Sequence, residues 1–293
     1  MTLGRLLWSL RQILGLTDAV GALHQQNIRH GDIKPQNILH FTNLQDSDPD
    51  GDGILVLADV GISKQHHQAT DLRKDATNTS SSTIRYEAPE AASERTMEKP
   101  RPRRYDMWSL GCMFLEYTVW LLYGFDAVEV FRCRRMLSRS GGPKRESGNF
   151  FTERSRGAIL KIHPRVSQAI ELIRSDPRCP EGTALRDFVD VIEAHLLQIE
   201  PERRSKAPEL CDKVRKIVEA AVDDPEGSYL RRPFESSHST PIFFMRSTNH
   251  RPASISSRSS WSQGSSSSGR GSSSDLSIAR SSANSVVSHG EAG

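Results

Sequence analysis

From Asp106 to Tyr123 the chain offers about 18 residues that are apolar on nearly every side of a helix, a rod of about 27 Å at 1.5 Å per residue. A helix without a polar face has to be covered all round, so the rest of the fold must be arranged about it. The wider apolar run, Met113 to Val128, carries Glu116 and Asp126 and falls short of the roughly 20 residues that cross a bilayer. This predicts a core helix and no membrane association. From Leu6 to Gln26 apolar residues recur at intervals of three and four (Leu10, Ile13, Leu14, Leu16, Val20, Leu23), the pattern of an amphipathic helix with a broad buried face. Helical periodicity returns in Val166 to Ile173, Leu185 to Ile199 and Ala207 to Ala221. Ile38 to Phe41 and Ile54 to Ala58 are short runs rich in branched residues, bounded by turn formers, and predict the two strands of a small hairpin. The fold class expected is mainly α (α+β), a helical bundle with one small β-hairpin.

Composition narrows the function. A net charge of +3 over 293 residues is small. The basic clusters Arg101 to Arg104 and Arg132 to Arg135 are separated, not aligned in one stripe, so nucleic-acid binding is not expected. Cys112, Cys133, Cys179 and Cys211 lie far apart with no Cys-x-x-Cys pair and no secretory leader before them, which suits reduced thiols in an intracellular protein, cytoplasmic or nuclear. Lys99 to Arg104 fits either an import signal or a solvated surface. Residues 138 to 157 have little apolar content and are expected to form a surface insertion. Past Glu235 serine dominates, and such a stretch buries too little surface to offset chain entropy. The expected division is therefore a domain over 1–222 and a disordered tail over 223–293. Within that tail the apolar island Ile242-Phe243-Phe244-Met245 either docks back on the domain or is a stray patch.

Between the two strands, Asp46-Ser47-Asp48-Pro49-Asp50-Gly51-Asp52 has the alternating acids of a calcium loop. Its twelfth position is Leu57 where a bidentate Glu is required, so a solvated hairpin connection is the plainer expectation. Five other stretches fall in one order along the chain. They are His30-Gly31-Asp32-Ile33-Lys34-Pro35-Gln36-Asn37, then Asp59-Val60-Gly61, Thr83-Ile84-Arg85-Tyr86-Glu87-Ala88-Pro89-Glu90, Asp106-Met107-Trp108-Ser109-Leu110-Gly111, and Glu200-Pro201-Glu202-Arg203-Arg204.

Together these stretches resemble the C-terminal lobe of the eukaryotic protein kinases, serine/threonine type, over about Leu6 to Ala221. The resemblance implies ATP-dependent phosphoryl transfer to Ser or Thr of protein substrates, with ATP and Mg2+ as cofactors. Asp32 would take the hydroxyl proton, Lys34 would neutralise the transferring phosphate, and Thr83 would contact both. Asn37 and Asp59 would ligate magnesium, Lys34, Asn37, Leu39 and Asp59 would line the nucleotide site, and Gly61 would free the turn after Asp59. Arg204 would pair with Glu90. Gly31 stands where many kinases carry an arginine that reads a loop phosphate, and Val60 where most carry Phe. Only 29 residues precede His30, and they show no Gly-x-Gly-x-x-Gly loop and no Val-Ala-x-Lys strand, so the N-terminal lobe is expected to be missing. Two explanations stand: these residues belong to a longer kinase domain, or the lobe is a catalytically inactive, pseudokinase-like scaffold for protein partners. The oligomeric state is unknown from the sequence.

Overall fold

The computed structural model describes residues 2–42, 53–60, 64–65, 85–92, 102–136, 148–152, 159–224, 227–230 and 239–246. The chain divides into units 1–256 and 257–293, and every described residue belongs to the first. The acidic stretch 46–52, Gly61, Thr83 and the serine-rich stretch past 246 lie outside the described residues.

Helix α1 (Leu3–Gln25) opens on Thr2, whose hydroxyl accepts the Arg5 N–H at 3.2 Å. Its buried stripe, Leu6, Leu10, Ile13, Leu16 and Val20, follows the expected spacing. The stripe packs chiefly on α6 (Ala207–Val222), which buries Leu210, Val214, Ile217 and Val218 on the facing side. Between them in sequence lies the apolar rod, α2 (Arg104–Tyr123), buried continuously from Tyr105 to Val119. It is followed by α3 (Phe125–Met136), α4 (Pro164–Arg174) and α5 (Ala184–Val191).

Among the described residues six short strands form three antiparallel pairs: β1 (Ile28–Arg29) with β4 (Lys64–Gln65), β2 (Ile38–Phe41) with β3 (Ile54–Leu57), and β5 (Phe151–Thr152) with β6 (Lys161–Ile162). In the β2–β3 hairpin Leu39 faces Val56 and Phe41 faces Ile54. Two side chains of α1 fasten it: the Trp8 indole donates to Gly53 O at 2.8 Å, and Gln12 Oε1 accepts the Leu55 N–H at 2.8 Å. The expected mainly helical fold with a small hairpin is the one observed.

Two segments depart from expectation, and the island at 242–245, left open between docking and a stray patch, docks. The helix predicted over Leu185 to Ile199 is α-helical only to Val191 and widens to a π-helical turn over Ile192–Leu196. That turn sets Leu196 and Leu197 against Gly111 of α2, where a Cβ would come within 2.7 Å of Leu196 Cβ, so only glycine permits the approach. Asn149, Phe150 and Phe151, read as part of a surface insertion, are buried, and Phe150 sits edge-on to Phe131 with ring centres 6.0 Å apart. Past residue 222 the chain still packs: Tyr229 O accepts the Ala184 N–H, and the helical turn Ile242–Phe244 buries Phe243 and Phe244 against Phe131 and Tyr123.

Candidate active site

The loop between β1 and β2 holds most of the sequence-predicted site. Its frame is Asp106, fully buried in the first turn of α2. One carboxylate oxygen accepts the His30 N–H and the His24 ring N–H, at 2.9 and 2.8 Å, and the other accepts the Gly31 N–H at 2.9 Å. Three donors on one buried acid hold the loop backbone to the core helix. Gly31 sits at φ +81, a left-handed conformation costly for any side chain, and the Arg29 guanidinium lies 3.4 Å from where a Cβ would stand. The Arg29 side chain packs over the Tyr105 ring at 5.4 Å.

His30, also fully buried, ties the loop to the second motif. Its Nε2 donates to Ala58 O at 3.0 Å, and because a carbonyl only accepts, the proton sits on Nε2. Nδ1 is then the acceptor for the Asp32 N–H at 3.3 Å. Beyond it three side chains converge. Lys34 Nζ donates to Asp32 Oδ2 at 2.6 Å, and Asn37 Nδ2 donates to Asp32 O at 2.8 Å and to Oδ2 at 3.2 Å. Asp32 and Asn37 are buried and Lys34 is half-buried. Asp59 follows directly on Ala58, whose N–H donates to Asn37 O at 2.8 Å, and it takes the unusual φ of +64 with its side chain exposed. Aspartate is one of the few side chains that enters this left-handed region. Leu39, on β2, is exposed. Thr83 lies outside the described residues, so the loop brings together Asp32, Lys34 and Asn37, with Asp59 one residue from the hydrogen bond that joins the two motifs.

Arg204 meets Glu90 as expected. It forms a bidentate pair at 2.8 and 2.7 Å, spends its remaining donors on Gln198 O, Arg104 O and Ile199 O, and lies over the Trp108 ring. The clamp fixes the segment that begins at Arg85. Ser109 Oγ, one turn along α2 from Asp106, donates to Tyr86 O at 2.9 Å and holds the same segment from the other side.

Sequence reasoning missed the second polar centre of the core. Glu116, near the middle of α2, accepts from Arg132 at 2.6 and 3.0 Å, from Arg135 at 2.5 Å and from the Tyr86 hydroxyl at 2.7 Å. Burial alone would raise its pKa, but the two guanidiniums outweigh that and lower it to about 2. Burial and the neighbouring Glu116 push the Tyr86 phenol up. The available signal was Glu116 inside an apolar helix and two arginines three apart on the helix that follows. Noted in the sequence only as a basic cluster apart from Arg101 to Arg104, Arg132 and Arg135 belong to the interior.

Residues 10–132 match the protein kinase domain family. A calcium/calmodulin-dependent protein kinase of Metarhizium anisopliae is 36% identical over 129 residues, which is 44% of this chain and 28% of that protein. The kinase cmkA of Emericella nidulans, also described as calcium/calmodulin-dependent, is 26% identical over 231 residues, 74% of this chain and 50% of its own. The serine/threonine-protein kinase nekl-2 of Caenorhabditis elegans is 28% identical over 241 residues, 81% of this chain and 58% of its own. The chain thus spans between about a quarter and three fifths of the length of these relatives. Over the matched region the chain is similar to the eukaryotic protein kinases.

Proposed function

We propose that this chain carries the catalytic loop of an ATP-dependent serine/threonine protein kinase and acts as part of a longer kinase domain. The observation that carries this is the convergence of Lys34 and Asn37 on Asp32, at 2.6 and 3.2 Å, on a loop pinned to the core by Asp106. Asp32 accepts the proton of the attacking hydroxyl and orients it. Lys34, now on the Asp32 carboxylate, is within reach of a phosphate approaching that carboxylate and offsets its charge. Lys34 in this position and the expected Thr83 fit hydroxyl substrates of the Ser/Thr type.

The donor set suits magnesium. Asn37 Nδ2 is committed to Asp32, so Oδ1 is its atom for a cation, and Asp59 adds a carboxylate: two hard oxygen ligands, the number expected where water and phosphate oxygens complete an octahedron. In this reading water and the phosphate oxygens of the nucleotide complete the coordination. Bound magnesium would neutralise charge on the phosphates. Leu39 offers an apolar contact to the nucleotide beside Asn37.

A scaffold role is the second possibility, favoured by the exposed apolar residues Leu39, Phe41, Ile54 and Val60 on and beside the hairpin. One substitution decides between them. In the native protein containing these residues, Asp32→Asn should lower phosphorylation of a basic Ser/Thr peptide by about 10²- to 10⁴-fold while leaving the melting temperature close to wild type. Retention of more than a tenth of the wild-type rate overturns the assignment of the base.

A further inference from the structure

Residues 239–246 sit on a surface that is held in shape by contacts of its own. The Tyr123 hydroxyl donates to Asp176 Oδ2 at 2.8 Å and the Arg178 guanidinium lies 5.0 Å from the Tyr123 ring centre. Phe131 packs on Phe150, with ring centres 6.0 Å apart, and under the Arg135 guanidinium at 4.1 Å. Onto this surface the segment sets Phe244, stacked on Tyr123 at 4.6 Å and 6.3 Å from Phe131, and Phe243, 6.4 Å from Phe131 with the Arg134 guanidinium 5.1 Å from its ring. Its polar links to the rest of the described residues are two, both exposed: Arg134 Nη2 donates to Ile242 O at 3.3 Å, and Arg246 pairs with Asp126 at 2.9 Å. Its other hydrogen bonds close its own turn, from the Phe244 N–H to Pro241 O and from the Met245 N–H to Ile242 O. A short segment held by two rings and two exposed links opens at lower cost than the helices under it, and a receptor fixed by its own contacts keeps its shape when that happens.

The seated segment leaves one donor unmet. Arg134 Nε is buried and has no hydrogen-bond partner. Nε and Nη2 present parallel N–H groups along one edge of a guanidinium, the edge that takes both oxygens of a carboxylate. Arg178 uses that pair of nitrogens on the two oxygens of Asp176, each at 2.8 Å. On Arg134 a single carbonyl, Ile242 O, fills half of the edge.

We propose that Tyr123, Phe131 and Arg134 form a docking groove for a protein partner whose segment carries an aromatic pair directly preceded by an acidic residue, and that residues 239–246 fill the groove in cis until such a partner displaces them. The partner's rings take the places of Phe243 and Phe244. Its acid stands where Ile242 does: that side chain is 82% exposed, so an acid there forfeits little burial, and its Cα is two bonds from the oxygen that Arg134 already holds. A basic residue two places after the pair, as Arg246 is, meets Asp126. A second copy of this chain brings the same Ile242 and leaves Nε open, so it gains nothing over the segment in place, which chain connectivity holds at an effective concentration on the order of millimolar. A separate partner with the acid supplies what the cis segment lacks.

The test uses the full chain and two peptides with the sequence of residues 239–246, one native and one carrying Ile242→Glu. In fluorescence anisotropy the chain with Phe243→Ala and Phe244→Ala, which frees the groove, should bind both, the Ile242→Glu peptide about tenfold more tightly, and adding Arg134→Gln should remove that preference. The wild-type chain should bind either peptide at least about tenfold more weakly, because its own segment competes. No binding to the double variant, or equal binding to wild type, overturns the groove. Equal affinity for the two peptides, or a preference that survives Arg134→Gln, overturns the acidic partner. If the double variant does not fold, Ile242→Glu in the otherwise native chain carries the test: it should raise the melting temperature by about 3 °C, a gain that Arg134→Gln removes, and no gain overturns the proposal. A wild-type dimer in sedimentation velocity that Phe244→Ala dissociates names a second copy as the occupant and overturns the separate partner.

Discussion

At single residues, the site depends on a few conformations that most side chains resist. Gly31 is the sharpest case, because its left-handed backbone aims its own N–H at Asp106 while the Arg29 guanidinium fills the space beside it. Gly31→Ala should destabilise the chain by about 1–2 kcal/mol from backbone strain alone, read as a lower urea midpoint with unchanged m-value. A shift below about 0.3 kcal/mol would mean that the loop relaxes away from Asp106. The same residue replaces the arginine that many kinases use as a phosphate sensor, so this loop is anchored by its backbone and by His30, not by a charge at position 31.

Among the elements, α2 is the organiser, and it presents acids at two levels. Asp106 in its first turn orders the Asp32 loop, and Glu116 ten residues on joins Arg132 and Arg135 of α3 to Tyr86. Removing one member of such a buried set leaves uncompensated charge, so Glu116→Gln should cost about 3–5 kcal/mol in urea denaturation. The pH dependence has a definite sign. The folded-state pKa of Glu116 lies below its ordinary 4.5, at about 2, so its stabilising contribution is complete above pH 4.5 and drains away as pH falls toward 2. Between these values the stability of the wild type should fall more steeply than that of Glu116→Gln. Parallel curves would show that the carboxylate is not ionised in the folded chain. A helix–helix joint of this kind makes the Tyr86 segment part of the rigid core.

Over the whole molecule, the helical bundle is closed by a piece of chain distant in sequence. Phe244 stacks on Tyr123 with ring centres 4.6 Å apart, Phe243 lies under the Arg134 guanidinium, and Arg246 pairs with Asp126 at the start of α3. Phe244→Ala should therefore lower the unfolding free energy by about 3 kcal/mol, measured by urea titration, whereas Met245→Ala, at an exposed neighbour, should stay within about 0.5 kcal/mol. Equal effects at both positions would show that the segment does not dock in solution. What the sequence by itself determined was whatever repeats or clusters locally: the 3.6-residue stripe of α1, the all-apolar α2, the branched runs of β2 and β3, and Asp32, Lys34 and Asn37 within one short loop. Only the tertiary structure decided which charges go inside and which distant segments cover the core. Arg132 and Arg135 read only as a separate basic cluster until Glu116 stands opposite them, Phe150 reads as part of a surface insertion until Phe131 meets it, and the choice between docking and a stray patch for Phe243 and Phe244 waits on Phe131 and Tyr123. The physical reason is that burial is a property of pairs brought together across space, whereas periodicity and loop chemistry are written in neighbours along the chain.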